Sequence, residues 1–258
     1  MPRYFIEVAY VGTRYSGFQA QKNANTIQSE VEKALRIFFK GIFVLTGASR
    51  TDAGVHALQN YFHFDTSEEL IKTVNSNLEH EEWLKRCLYS LNSILPEDIV
   101  IKNIAQVEDN AHSRFDAITR EYKYQIYQSK NPFLRQVAYY YPYKLDVQKL
   151  QEAAEIILAS FDFTSFSKKN TQVTNFNCFI HKSNWIFENN LIIYNIIGNR
   201  FLRGMVRGLV ATMLNVGNGK ISVEKFRDII NAKDCTKANF SIPPRGLFLV
   251  EVTYRFII

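Results

Sequence analysis

The sequence predicts an α+β fold in two similar-sized lobes, each a mixed or antiparallel sheet with flanking helices. Three observations predict it. Strand-like and helix-like periodicities alternate along the whole chain, and the strand-like stretches fall in hairpin-like pairs. The order of elements runs through a similar theme twice, more loosely the second time, with the change near residues 105–115. The chain of 258 residues, 47% of them hydrophobic and 22% charged, is long enough and apolar enough for two ordinary cores. The expected lobes are 1–108 and 109–258.

In the first lobe, residues 3–10 alternate as a strand, and a polar, glycine-bearing connection follows from Gly12 to Asn25. Residues 26–39 place Ile27, Val31, Ala34, Leu35 and Phe38 at helical spacing, with Asn25 or Thr26 as the N-cap. A strand is expected at 42–46 and another at Tyr61–Asp65. Glu81–Leu95 has helical periodicity that Pro96 ends, and Asp98–Val107 reads as a strand.

In the second lobe, Arg120–Gln128 alternates as a strand and Tyr139–Tyr143 as another. Asp146 is placed to cap a helix carrying Leu150, Ala154, Ile157 and Leu158. Strands are expected near 173–187 and 191–197, a helix at 199–214, a shorter helix from Ser222, and a last strand at Leu247–Phe256.

Composition narrows the function classes. No run of eighteen apolar residues suggests a membrane span. The N-terminus enters strand alternation at once, without the apolar core of a signal peptide, so the expectation is cytoplasmic. Cys87, Cys178 and Cys235 are odd in number and far apart, and the five histidines are dispersed, which argues against disulfides and a metal site. A net charge of +6 suits a polyanionic partner such as nucleic acid, and equally suits a basic protein with none. Gly12 and Gly17 have Walker-like spacing, but Phe18 and Gln19 stand where a phosphate cradle needs Lys and Ser or Thr. The plain reading of that stretch is a turn; Arg14 and exposed amides beside it are candidates for holding phosphates.

The densest chemistry lies in GASRTDAGVHA, Gly47–Ala57. Asp52 followed by Gly54 is good turn chemistry, because Asp accepts local amide hydrogen bonds and Gly takes positive φ. A turn does not explain why Arg50, Thr51 and His56 surround a carboxylate at a strand end, where loops often carry function.

ASRTDAGVHA resembles the signature of the tRNA pseudouridine synthase A family, with Ser49 where the family usually has Gly. The match recurs in order along almost the whole chain: YVGTRYSGFQAQ (Tyr10–Gln21), Thr26-Ile27-Gln28, HSRFDAITREYKY (His112–Tyr124), DFTSF (Asp162–Phe166), GNRFLRGMVRGLVATML (Gly198–Leu214) and PPRGLFLVEVTY (Pro243–Tyr254). Ala111 is a second departure, where the family often has an aromatic residue.

The resemblance implies the pseudouridine synthase fold with an active-site cleft between the lobes. It implies conversion of uridine to pseudouridine at positions 38, 39 and 40 of the tRNA anticodon stem-loop, without cofactor or metal, by a homodimer. Asp52 matches the family's essential aspartate, which must be ionised to act as nucleophile or base. Arg207 matches the arginine that pairs with it. Arg200, Arg203 and Arg207 fall on one face of the expected 199–214 helix, opposite Phe201, Met205, Leu209 and Met213, which leaves that basic face, Arg203 included, free to meet RNA or Asp52. Tyr122 matches the tyrosine that stacks on uracil, although as a strand residue it needs no function. Leu247 matches an apolar residue lining the base pocket. Arg50 is the candidate to fill the space of an extruded base, and His56, Arg14 and Arg114 are candidates for holding phosphates or the loop itself. Two other readings remain at this level: a non-catalytic tRNA-binding protein or chaperone on the same scaffold, and a glycosidase-like hydrolase. The second lacks a paired carboxylate near Asp52 in sequence.

Overall fold

The computed structural model describes residues 1–67, 79–169 and 173–256. It is an α+β protein in two units, one formed by Met1–Ile118 with Leu249–Ile258, the other by Thr119–Phe248.

The sheet of the first unit is built on β1 (Arg3–Tyr10), which pairs antiparallel with β3 (His56–Asp65) on one side and β4 (Ile99–Val107) on the other. Tyr4, Phe5, Ile6 and Val8 are all buried, so this strand is covered on both faces. On one face Tyr4 meets Phe64 and Trp83, the latter from α2 (His80–Ile94). On the other, Phe5 meets Tyr61, His63 and the C-terminal residues Tyr254 and Phe256. Helix α1 (Ile27–Phe39) starts at Thr26, not Asn25: the Thr26 hydroxyl accepts from the Ser29 amide in a capping box and the residue is fully buried.

The strand expected at 42–46 is only β2, Thr46–Gly47, paired with β3. Phe43 and Leu45 turn inward and Ile42 and Val44 outward, as a strand would have them. Yet Glu32 Oε1 takes the Leu45 amide and Gln28 Nε2 donates to the Leu45 carbonyl. Side chains of α1 thus satisfy the backbone that a ladder would have used.

In the second unit β5 (Thr119–Tyr127), β8 (Leu191–Gly198) and β7 (Ile180–Glu188) form an antiparallel sheet in that order, with β6 (Tyr139–Tyr140) parallel to β5. Helix α3 (Val147–Leu158) is capped by Asp146, and α5 (Val223–Asn231) by Ser222. Strand β9 (Leu247–Thr253) follows a 3-10 turn at Pro244–Gly246.

One expected element changes in a way that matters for function. Helix α4 is Met205–Gly217, not 199–214. Gly204 precedes it with φ of +75°, a left-handed conformation that ends any helix arriving from residue 199. Arg200 and Arg203 therefore lie in the turn ahead of the helix, and only Arg207 is on it. The helix is buried on nearly every side, so the basic solvated face expected for Arg200, Arg203 and Arg207 does not form. Among the described residues no helix is long and apolar enough to cross a membrane, and no group of three or more His, Cys, Asp or Glu is placed to hold a metal ion.

Candidate active site

The Asp52 loop joins β2 to β3, and the chain anchors it at almost every step. The Ala48 amide donates to the Tyr61 carbonyl (2.8 Å), and Asn60 Nδ2 donates to the Ser49 carbonyl (2.9 Å). The Thr51 hydroxyl shares a hydrogen bond with Tyr10 Oη (2.8 Å), and its carbonyl accepts from Phe18 N (3.1 Å). The Asp52 carbonyl accepts from Val55 N (3.2 Å), closing a turn in which Gly54 has φ of +75°. The turn chemistry read from Asp52 and Gly54 is real, and it leaves the Asp52 side chain half-buried with Arg50 exposed two residues earlier.

The first glycine block clasps this loop. A Cβ on Gly12 would lie 2.0 Å from the Val55 carbonyl oxygen, so only glycine fits. The Gly12 amide donates to His56 Nδ1 (3.1 Å), which requires that nitrogen to be unprotonated, and Gly54 N donates to the Tyr15 carbonyl (3.3 Å). His56 is 1% exposed. It holds the loop and presents no surface to a phosphate. The Walker-like spacing of the two glycines thus serves close backbone approach to the Asp52 loop.

Arg14 is exposed but committed: its Nε donates to Asp98 Oδ2 (2.7 Å), and Tyr15 Oη donates to Oδ1 (2.5 Å). Burial would raise the Asp98 carboxyl, but these two bonds outweigh it and hold it below the ordinary carboxylate range. Arg114 is exposed, its guanidinium 5.9 Å from the centre of the Phe115 ring. Arg50, Asp52, His56 and Arg14 belong to one neighbourhood of the first unit, and Arg114 to the turn that follows β4.

In the second unit Tyr122 lies on β5 opposite Ile196, 8% exposed, with its ring edge-on to Phe201 at 5.1 Å. Arg207 is half-buried in the first turn of α4, and its Nη2 donates to the Ile242 carbonyl (2.6 Å). Leu247 is the first, buried residue of β9. Arg203 is exposed, and its carbonyl accepts from Lys168 N. Sequence reasoning missed the residues that support the Asp52 loop, Tyr10, Tyr15 and Asn60. Asn60 directly precedes the strand expected at Tyr61–Asp65, and only the structure shows it buried within a longer strand.

A family model described as tRNA pseudouridine synthase matches residues 6–116 and 153–255, which takes in every residue of this candidate site but Tyr122. The chain belongs to that family. Among its relatives, proteins named tRNA pseudouridine synthase A are 43% identical in Bacteroides fragilis (98% of this chain, 96% of the relative) and 41% identical in Parabacteroides distasonis (98% and 96%). One from Bacteroides thetaiotaomicron is 42% identical over 98% of this chain and 91% of its own length. The loop around Asp52, which the family model covers, is anchored through Ala48, Ser49, Thr51 and Gly54.

Proposed function

We propose that this chain is a tRNA pseudouridine synthase, an isomerase that converts uridine to pseudouridine at positions 38, 39 and 40 of the anticodon stem-loop. The observation that carries the reading is the family's aspartate motif, folded into a loop anchored on both sides of Asp52 with Arg50 exposed beside it. The bond from the sugar to the uracil nitrogen breaks, the uracil turns, and its C5 bonds to the same sugar carbon; the hydrogen on C5 then leaves as a proton and the freed nitrogen takes one up. No atom is gained or lost overall.

In this reading Asp52 acts at the sugar or base as nucleophile, with Arg207 as the cation that pairs with it. Tyr122 stacks on the uracil, and Leu247 closes the pocket against its other face. The target must leave the helical stack, at a cost of about a few kcal/mol, and Arg50 takes its place. Arg203 and Arg114, both exposed, hold backbone phosphates, and Arg14 does so while paired with Asp98. The N-terminal lobe carries the aspartate loop, and the C-terminal lobe completes the site and the RNA cleft. A cytoplasmic homodimer is the form in which we expect it to act.

Asp52→Asn tests this against a binding-only protein on the same scaffold. The variant should form no detectable pseudouridine in tRNA while binding tRNA within about twofold of wild type, by filter binding and by pseudouridine mapping. Continued modification would remove Asp52 from the mechanism. Release of free uracil by the wild type would mark a hydrolase instead.

A further inference from the structure

Arg207 is aimed by a carbonyl, and the neighbouring carbonyl is held by a residue the family reading leaves idle. Ile242 O accepts from Arg207 Nη2 (2.6 Å), and Pro243 O accepts from Tyr124 Oη (2.7 Å). Two consecutive carbonyls are thus gripped from two elements, α4 and β5. Pro243 and Pro244 have no amide hydrogens, so this stretch cannot be steadied by their backbone donors. The side chains do it instead.

Tyr124 is itself rigidly placed. It is fully buried, and the Tyr139 ring lies 6.5 Å away. A Cβ on Gly246 would sit 2.8 Å from its Cε1 and Cζ, so the ring lies flush against the turn that delivers Leu247. Burial pushes the phenol far above its ordinary range, against the opposing pull of Arg207 and then of Arg245. The hydroxyl is therefore a donor at every working pH.

We infer that Tyr124 is a positioning residue for the isomerisation: its hydroxyl fixes the Pro243 carbonyl, and through the conformationally locked Pro243 it fixes the preceding peptide plane, whose carbonyl aims Arg207. The two carbonyls lie in adjacent peptide planes hinged at Pro243, where the ring locks φ (−67°) and the following Pro244 confines ψ (147°) to the extended range, so the planes turn together. The inference rests on Arg207 being the catalytic cation.

The test is a double-mutant cycle read by single-turnover pseudouridine formation. Tyr124→Phe keeps the ring and removes the donor. It should slow the reaction about tenfold while tRNA affinity stays within about twofold. The loss should be equal at pH 6 and pH 9, since the group removed never ionises there. 4-Aminophenylalanine at position 124 keeps a donor and should restore the rate. In an Arg207→Lys background, Tyr124→Phe should change the rate by less than about twofold, because the guanidinium it aims is gone. An unchanged rate in Tyr124→Phe overturns the inference, and so does an equal loss in both backgrounds. Should Tyr124→Phe fail to fold, a folded 4-aminophenylalanine protein decides: full rate supports the role, and a slowed one overturns it. A wild-type rate in Arg207→Lys alone would bring down the reading of Arg207 itself, whatever Tyr124 does.

Discussion

Ser49 occupies the position where the family usually carries glycine, and its backbone shows why serine is tolerated. It is not among the residues with positive φ, so a Cβ costs no strain. Its hydroxyl, however, is buried and makes no hydrogen bond with the described residues. Ser49→Ala should therefore raise stability by about 1 kcal/mol in urea unfolding, because a desolvated polar group is removed and the Asn60 bond to the Ser49 carbonyl stays. A destabilised variant would mean that the hydroxyl is satisfied. Asp52, Arg50 and Tyr122 could be picked out as residues from the motifs alone. His56 could not be assigned between loop and phosphate until its Nδ1 was found facing the Gly12 amide. Tyr124 is indistinguishable in sequence from the other tyrosines of its alternating strand.

At the scale of elements, local signals held where they were local. Asp146 caps the helix it is expected to cap, and Ser222, the expected start of α5, is its cap, each through a side-chain oxygen and the amide three residues on. Thr26 does the same for α1, so Thr26→Ala should cost about 1 kcal/mol of stability by thermal or urea unfolding. A loss of less than about 0.3 kcal/mol would show that the capping box contributes little there. Elements failed where distant groups competed. The ladder expected over 42–46 lost its Leu45 backbone groups to Glu32 and Gln28 of α1. The helix expected from residue 199 yielded to the left-handed Gly204, which a helical count of apolar residues passes over. That shift took Arg203 off the helix and with it the idea of a basic face.

At the scale of the whole molecule, the residues from Leu249 onward fold back onto the first unit, and they cover a face that carries a buried histidine. Tyr254 donates to the Ser113 carbonyl (2.5 Å), and Ser113 meets His63 Nδ1 through its amide (3.2 Å) and its hydroxyl (2.8 Å). Burial first, then the nearby Arg3 and His112, push the His63 imidazole down to about 4. An unfolded chain would protonate it near 6.5, so it binds more protons than the native state between those values. His63 thus contributes its full stability above about pH 6.5. The contribution falls as pH drops and is gone near pH 4, roughly 3 kcal/mol in all. His63→Asn, which keeps an acceptor near the Nδ1 position, should flatten the stability profile between pH 6.5 and 4. An unchanged slope would assign that pH dependence to other groups.

What the sequence by itself determined is the chemistry and the local grammar: the α+β class, the caps, the turn at Asp52-Ala53-Gly54, and a family motif specific enough to name the reaction. These depend on residues within a few positions of one another, whose interactions survive any global arrangement. What only the tertiary structure decided is which residues do the holding. Gly12 meets Val55, Asn60 meets Ser49, and Tyr124 grips the carbonyl beside the one that holds Arg207. Each of these partnerships joins groups from separate elements, and no periodicity records a contact whose spacing is set by the path of the chain through space.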